Sequence, residues 1–285
     1  MKTIVFSNHK GGAAKTTTAF NVAINLAMQG SRVLAVDMDP QGNMSVAMGA
    51  DLEELEINRR TSHRMMLDQN AEMSNFLLRA RPRLDYIPSC VDFDAKGLIE
   101  TFNISRDLLL RNRLLEVSRA YDYCVIDTAP NLDAPTINAL ALSDMTIIPV
   151  DSSHFALVGL RQMLKTLTAI RRAYVPKMMF MGLSTKFKPR GVVDRGIREQ
   201  LRTIFKTNLF ETTIPDSASV EKATAVGKAV IETEVHSPAS IAFFNLTNEI
   251  RERFNDEKVG PEFIAGETSQ TRTALSESGA STGRD

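Results

Sequence analysis

The sequence has no tryptophan and only two cysteines in 285 residues, and it carries no excess of either charge, with 34 Lys and Arg against 34 Asp and Glu. It also lacks any apolar run approaching the roughly 18 residues that a membrane-spanning helix requires. Each absence excludes something. Cys90 and Cys124 lie far apart among apolar neighbours, so a disulfide framework and a CxxC metal or redox site are ruled out and two buried core thiols are expected. The opening MKTIVFSNHK has no basic region followed by an apolar core, so it does not read as a secretory leader and a cytoplasmic protein is expected. A net charge of zero argues, at first sight, against a nucleic-acid partner. What is present is an ordinary globular balance of 43% apolar and 24% charged residues, enough to build a large core.

Apolar runs alternate with helical patterns along most of the chain. Thr3–Phe6, Arg32–Val36, Tyr123–Ile126, Met145–Val150, Met178–Leu183 and Leu209–Ile214 read as strands. Their near-continuous apolar character is that of strands covered on both faces, as in a parallel sheet. Helical spacing follows from Lys15 to the stop at Gly30, and again over 106–120, 134–142, 155–174, 193–207 and 238–254. Strands alternating with helices predict an α/β fold, a doubly wound and mainly parallel sheet with helices on both faces. Residues 51–83, rich in charge and Met, are expected to form helices over one edge of the sheet. One domain over 1–255 is predicted, followed by a Ser-, Thr- and Gly-rich tail over 256–285 whose composition predicts disorder.

The segment His9-Lys10-Gly11-Gly12-Ala13-Ala14-Lys15-Thr16-Thr17 joins the first strand to the first helix. Adjacent glycines admit close approach of the backbone to a ligand, successive N–H groups make an anion-binding concavity, and the helix N-terminus adds roughly half a positive charge. Lys15 is placed to neutralise phosphate oxygens, and the Thr16 hydroxyl to ligate Mg²⁺. The strict pattern G-x-x-x-x-G-K-[ST] fails, because His9 and Ala14 occupy its glycine positions. Two carboxylate-bearing segments accompany the loop. Asp37-Met38-Asp39-Pro40-Gln41-Gly42-Asn43 ends the second strand, and Tyr123–Ile126 leads into Asp127. In a doubly wound sheet, acids at strand ends lie beside the phosphate loop.

Taken together, these segments resemble the ParA/MinD superfamily of P-loop ATPases, which carries a deviant Walker A motif K-G-G-x-x-K-[ST]. Pro149–Leu160 resembles its strand, loop and dimer-facing helix, and Thr213-Ile214-Pro215 the segment lining the nucleotide base. The resemblance covers residues 1 to about 250 and is weak over 51–100. It implies ATP and Mg²⁺ as ligands. Lys10, Gly11, Gly12, Ala13, Ala14, Lys15, Thr16, Thr17 and Pro215 would bind the nucleotide, with Lys10, Lys15 and Asp39 catalytic. Lys10 would reach the phosphates of a second subunit. The metal would be held by Thr16 directly and by Asp39 and Asp127 through water, with Asp37 supporting its shell. Most relatives carry Gly where this chain has Ala14, an added methyl that crowds the β-phosphate.

Within the superfamily, an amphipathic membrane-docking end is missing, as are paired cluster-binding cysteines and the hundred or so residues that precede the loop in helix-turn-helix branches. The ParA branch remains. It implies an ATP-dependent homodimer that binds nonspecific DNA, a ParB-like or other small activator protein that stimulates slow hydrolysis, no membrane, a nucleoid-associated location and a role in plasmid or chromosome segregation. Zero net charge does not forbid this. Between Arg161 and Lys206, twelve Lys and Arg face only Asp194 and Glu199, a net charge of +10 in 46 residues. Arg195, Arg198 and Arg202 share one helix face by spacing, a stripe suited to phosphates. Lys222 and Lys228 are further candidates for DNA contact. The alternative is an ATP-dependent scaffold that positions a protein cargo and binds no DNA.

Overall fold

The computed structural model describes residues 1–90, 108–153, 156–188 and 190–258. Its core is an eight-stranded sheet of β1 (Lys2–Phe6), β2 (Val33–Asp37), β3 (Leu78–Arg81), β4 (Leu84–Ile87), β5 (Tyr123–Asp127), β6 (Met145–Asp151), β7 (Met179–Phe187) and β8 (Leu209–Pro215). The spatial order is β3-β4-β2-β5-β1-β6-β7-β8, and every neighbouring pair is parallel except β3 with β4. The helices are α1 (Lys15–Met28), α2 (Asn43–Met48), α3 (Leu52–Asn58), α4 (Ser62–Leu67), α5 (Leu109–Val117), α6 (Ala134–Leu140), α7 (Ala156–Ala173), α8 (Val192–Phe205), α9 (Ala218–Ala225), α10 (Val230–Thr233) and α11 (Pro238–Arg253).

Alternation along the central strands sorts the core into two layers. Ile4, Phe6, Val33, Ala35, Tyr123, Val125, Met145 and Ile147 face α1 and α11, packing against Phe20, Ile24, Phe243 and Leu246. Val5, Leu34, Val36, Cys124, Ile126, Ile148 and Val150 face the other way, toward Met65, Leu114, Leu140, Leu167 and Leu201. Both faces are thus covered, as the apolar runs require. Cys90 and Cys124 are both buried. Among the described residues no helix is long and apolar enough to cross a membrane.

Two expectations are corrected. Residues 51–83 do form helices in their first part, α3 and α4, but 78–81 is a strand, and β4 follows it. In β3 Leu78 and Ala80 pack on the core while Arg79 and Arg81 alternate with them. Four residues are too few for a clear period, and the charged residues suit an edge strand. The boundary at 255 also moves, because Asp256 accepts hydrogen bonds from the Lys2 ammonium and the Tyr123 hydroxyl. The predicted disorder of the tail from residue 259 onward lies outside the described residues.

Candidate active site

The carboxyl ends of β1, β2 and β5 lie side by side on one edge of the sheet and deliver the loop, Asp37 with Asp39, and Asp127; β6, next to β1, brings Asp151, which is not among the predicted site residues. From β1 the chain passes through the loop into α1. Gly12 (φ 76°) and Ala14 (φ 65°) are left-handed, while Gly11 and Ala13 between and before them are not. Such alternation turns successive N–H groups to one side and forms an anion-binding nest. Neither glycine has a heavy atom within 4 Å of where a Cβ would stand, so the rim is open. Ala14 is the N-cap of α1 and offers no side-chain cap. A left-handed alanine costs about 1–2 kcal/mol, so Ala14 holds a backbone better suited to glycine under strain.

The loop is held from both flanks. Asn8 donates to the Pro149 carbonyl at 2.6 Å and accepts the Lys10 N–H at 3.1 Å, and the Thr185 hydroxyl donates to the Ala13 carbonyl at 3.1 Å. Lys15 is buried, with Nζ 3.5 Å from the Lys10 carbonyl. Burial lowers its pKa, opposed by Asp127 and Asp39.

The carboxylates at the strand ends differ sharply in their partners. Asp127 is fully buried, and both its oxygens lack a hydrogen-bond partner of normal geometry. Burial first, and the nearby Asp37 next, push its pKa well above the carboxylate range, while the Thr16 hydroxyl and Lys15 pull it down. An unpaired buried carboxylate is costly, and it is the expected condition of a group waiting for a cation beside Thr16. Asp39, nearly buried, accepts the Gln41 N–H at 3.0 Å. Asp37 is raised to about 7, chiefly by burial. Unlike Asp127 it is satisfied, by the Ser45 hydroxyl and N–H and by the Asp39 N–H. Among the described residues no three His, Cys, Asp or Glu lie close enough to hold a metal by themselves. The unpaired carboxylate of Asp127 beside the Thr16 hydroxyl suits Mg²⁺ bound through a hydroxyl, water and phosphate oxygens, its common mode. Thr16, Asp39 and Asp127 therefore fit the ion.

Lys10 turns back onto its own chain. Its ammonium lies 2.6 and 2.5 Å from the two oxygens of Asp151, at the end of β6, and also bonds Ser153. Burial would raise the Asp151 carboxyl, but the bonds from Lys10 and Ser153 hold it below the usual range. Asp151 lies 141 residues from Lys10, and its partnership carries no local sequence signal beyond an acid ending an apolar strand. Pro215 closes β8 on the same edge, in register with Phe187 of β7.

A family model described as an AAA domain matches residues 1–180. The chain is 31% identical over 250 residues to the sporulation initiation inhibitor protein Soj of Bacillus subtilis, covering 87% of this chain and 98% of Soj. It is 30% identical over 251 residues to the chromosome partitioning protein ParA of Myxococcus xanthus, covering 88% of each. The chain belongs to the ParA/MinD-type P-loop ATPases. Its fold matches cobyrinic acid a,c-diamide synthase from Mycobacterium smegmatis, solved with a bound ATP analog and magnesium. The TM-score is 0.75 at 24% identity, over 91% of this chain and 98% of that one.

The basic stripe expected of a ParA-type chain is only partly formed. Arg195 and Arg202 are exposed on α8, but Arg198 is 9% exposed. Its guanidinium donates to the Ser184 hydroxyl at 3.2 Å and the Glu211 carbonyl at 2.8 Å, and it stands 5.9 Å over the Phe187 ring. On the helix Arg198 falls between Arg195 and Arg202 on one side and the core residues Ile197 and Leu201 on the other, so it flanks the sheet. Arg202 is itself paired with Glu199 at 2.6 Å. Shared spacing thus does not make three free cations, and Arg198 is withdrawn as a phosphate contact. Lys222 and Lys228 are exposed, on α9 and just after it.

Proposed function

We propose that this chain hydrolyses ATP with Mg²⁺, pairs with a second copy when ATP is bound, and in that state binds DNA without sequence preference. A ParB-like or other small activator would stimulate slow hydrolysis and release it, in plasmid or chromosome segregation at the nucleoid. The observation that carries the hydrolytic part is the orphaned buried carboxylate of Asp127, with Thr16 and the buried Lys15 near it at the start of the helix that follows the left-handed loop.

The chain's own groups divide the work. The nest and Lys15 would hold the phosphates of the substrate, Thr16 directly and Asp39 and Asp127 through water would hold Mg²⁺, and Asp39 would also orient the attacking water. The metal, when bound, supplies charge neutralisation to the β- and γ-phosphate oxygens. Lys10 must leave Asp151 before it can reach another subunit's phosphates, so pairing competes with an internal ion pair and turnover stays slow. The DNA surface would rest on Arg195, Arg202, Lys222 and Lys228, whose contact with phosphates is salt-dependent and indifferent to sequence.

The thinner stripe on α8 favours keeping one rival reading, a scaffold that positions a protein cargo and does not touch DNA. DNA retention by the purified protein distinguishes them, measured with ATP and Mg²⁺, with ADP, and for Lys15→Ala. Retention only in the first case is expected; equal retention in all three overturns the ATP-gated reading, and none in any favours the scaffold.

A further inference from the structure

Asp37 reads from the sequence as a supporter of the metal shell, yet it is spent on the protein itself. Its Oδ1 accepts the Asp39 N–H at 3.0 Å, and its Oδ2 accepts the Ser45 N–H at 2.8 Å and the Ser45 hydroxyl at 2.7 Å. One carboxylate therefore closes the loop from Asp39 to Ser45 at both ends. The Ser45 Oγ in turn accepts the Ser89 N–H at 2.8 Å, just beyond β4. Around this ring the backbone is tightly fitted. The Ser62 hydroxyl donates to the Asp37 carbonyl at 2.6 Å, and the Ser62 N–H to the Pro88 carbonyl at 2.7 Å. Gly42, at φ 63°, lies so close to β4's exit that a Cβ would stand 2.7 Å from the Ser89 carbonyl oxygen.

We infer that Ser45 is a positioning residue for hydrolysis, fixing the backbone that carries Asp39 by joining Asp37 to Ser89. The inference rests on the hydrolytic reading above. A backbone N–H can only donate and a carboxylate can only accept, so a hydroxyl between them, donating to one and accepting from the other, satisfies both. Ser45 is fully buried, so its hydroxyl is sealed from bulk solvent. Alanine at this position leaves the Ser89 N–H without an acceptor and takes one of three bonds from Asp37. The groups that hold the nucleotide, Lys15, Thr16 and the loop N–H groups, sit on a different segment and keep their own supports. Loss of the hydroxyl is thus felt at Asp39 and in the rate, because small misplacements of a reacting group are expensive in rate, up to roughly a hundredfold for 1 Å.

The test compares Ser45→Ala and Ser45→Thr with the unaltered chain, reading single-turnover hydrolysis of Mg²⁺-ATP, ATP affinity and amide exchange. In Ser45→Ala, hydrolysis is expected to fall at least about tenfold with ATP affinity within about twofold. The Ser89 amide should exchange roughly tenfold faster, as for a lost buried hydrogen bond. Ser45→Thr, which keeps the hydroxyl, should restore both. An unchanged rate in Ser45→Ala overturns the inference, and so does a loss of affinity in step with the rate. If the unaltered chain binds ATP and never hydrolyses it, the hydrolytic reading fails instead. Ser89 exchange then decides the clamp alone: unaltered protection in Ser45→Ala removes it.

Discussion

Two regions of this chain carry several charges within a short span, and the structure treats them in opposite ways. At the carboxyl edge of the sheet, Asp127 is buried with no hydrogen-bond partner and Lys15 is buried with one long contact. On α8 two of the three arginines of the stripe are compensated, Arg198 by Ser184 and the Glu211 carbonyl and Arg202 by Glu199. Burying charge without a partner is unfavourable, so the first arrangement persists because something other than the fold uses it. The second contributes to the fold and leaves less for a ligand. Unpaired charge, more than charge itself, separates a site from a scaffold here.

Lys15→Ala carries the largest expected effect. If the buried lysine serves ligand and not fold, hydrolysis should drop by roughly two orders of magnitude or more, as for loss of a group that stabilises transition-state charge. Thermal stability without nucleotide should hold or rise, since burial already disfavours the charged form. Steady-state phosphate release and a melting curve test both halves. A large fall in melting temperature would make Lys15 a structural residue.

Asp127→Asn asks the same of the carboxylate. Mg²⁺-dependent hydrolysis should fall about a hundredfold, while the nucleotide-free protein should be more stable near neutral pH, because the amide removes the charge whose burial is unfavourable. The pH dependence has a definite sign. The folded pKa of Asp127 lies well above its unfolded value near 3.8, so its contribution to stability is full in acid and is lost as pH rises from there. The melting-temperature gap between Asp127→Asn and the unaltered chain should therefore be small near pH 4 and widen toward neutrality. A constant gap would show that the carboxyl is not strained by burial.

On the other side of the comparison, Arg198→Ala should destabilise the fold by about 1.5–3 kcal/mol, as expected for hydrogen bonds from a charged group. Arg195→Ala should change stability by less than about 0.5 kcal/mol. Their effects on DNA retention should be reversed, with Arg195→Ala weakening it and reducing its salt dependence. Equal stability for the two variants would erase the distinction drawn on α8.

The contrast also explains what could be read in advance. The β1 loop, Asp39 and Asp127 are legible because glycine, lysine and strand-ending acids recur at fixed short spacings that the phosphate site demands. The doubly wound sheet is legible because its central strands are apolar on both faces. Arg198 misleads because a three- and four-residue spacing sets a shared face without saying whether its edge meets the sheet. β3 and β4 escape notice as four-residue segments with Arg79, Arg81 and Asp85 among their apolar residues. The partners Lys10 and Asp151, or Ser45 and Ser89, are brought together only by folding, at separations of 141 and 44 residues.

The finest test concerns Ala14, where the loop meets α1. The left-handed backbone costs alanine about 1–2 kcal/mol, whereas glycine adopts it freely but loses more entropy on folding, about 0.4–1 kcal/mol. The two partly offset, so Ala14→Gly should raise stability by about 0–1.6 kcal/mol. Its effect on nucleotide should exceed its effect on stability, because the methyl removed stands in the nest itself. Tighter ATP binding with at most a modest rise in melting temperature is expected by calorimetry. If affinity is also unchanged, the methyl lies clear of the phosphates, and the loop in this chain accepts alanine at the cost of strain alone.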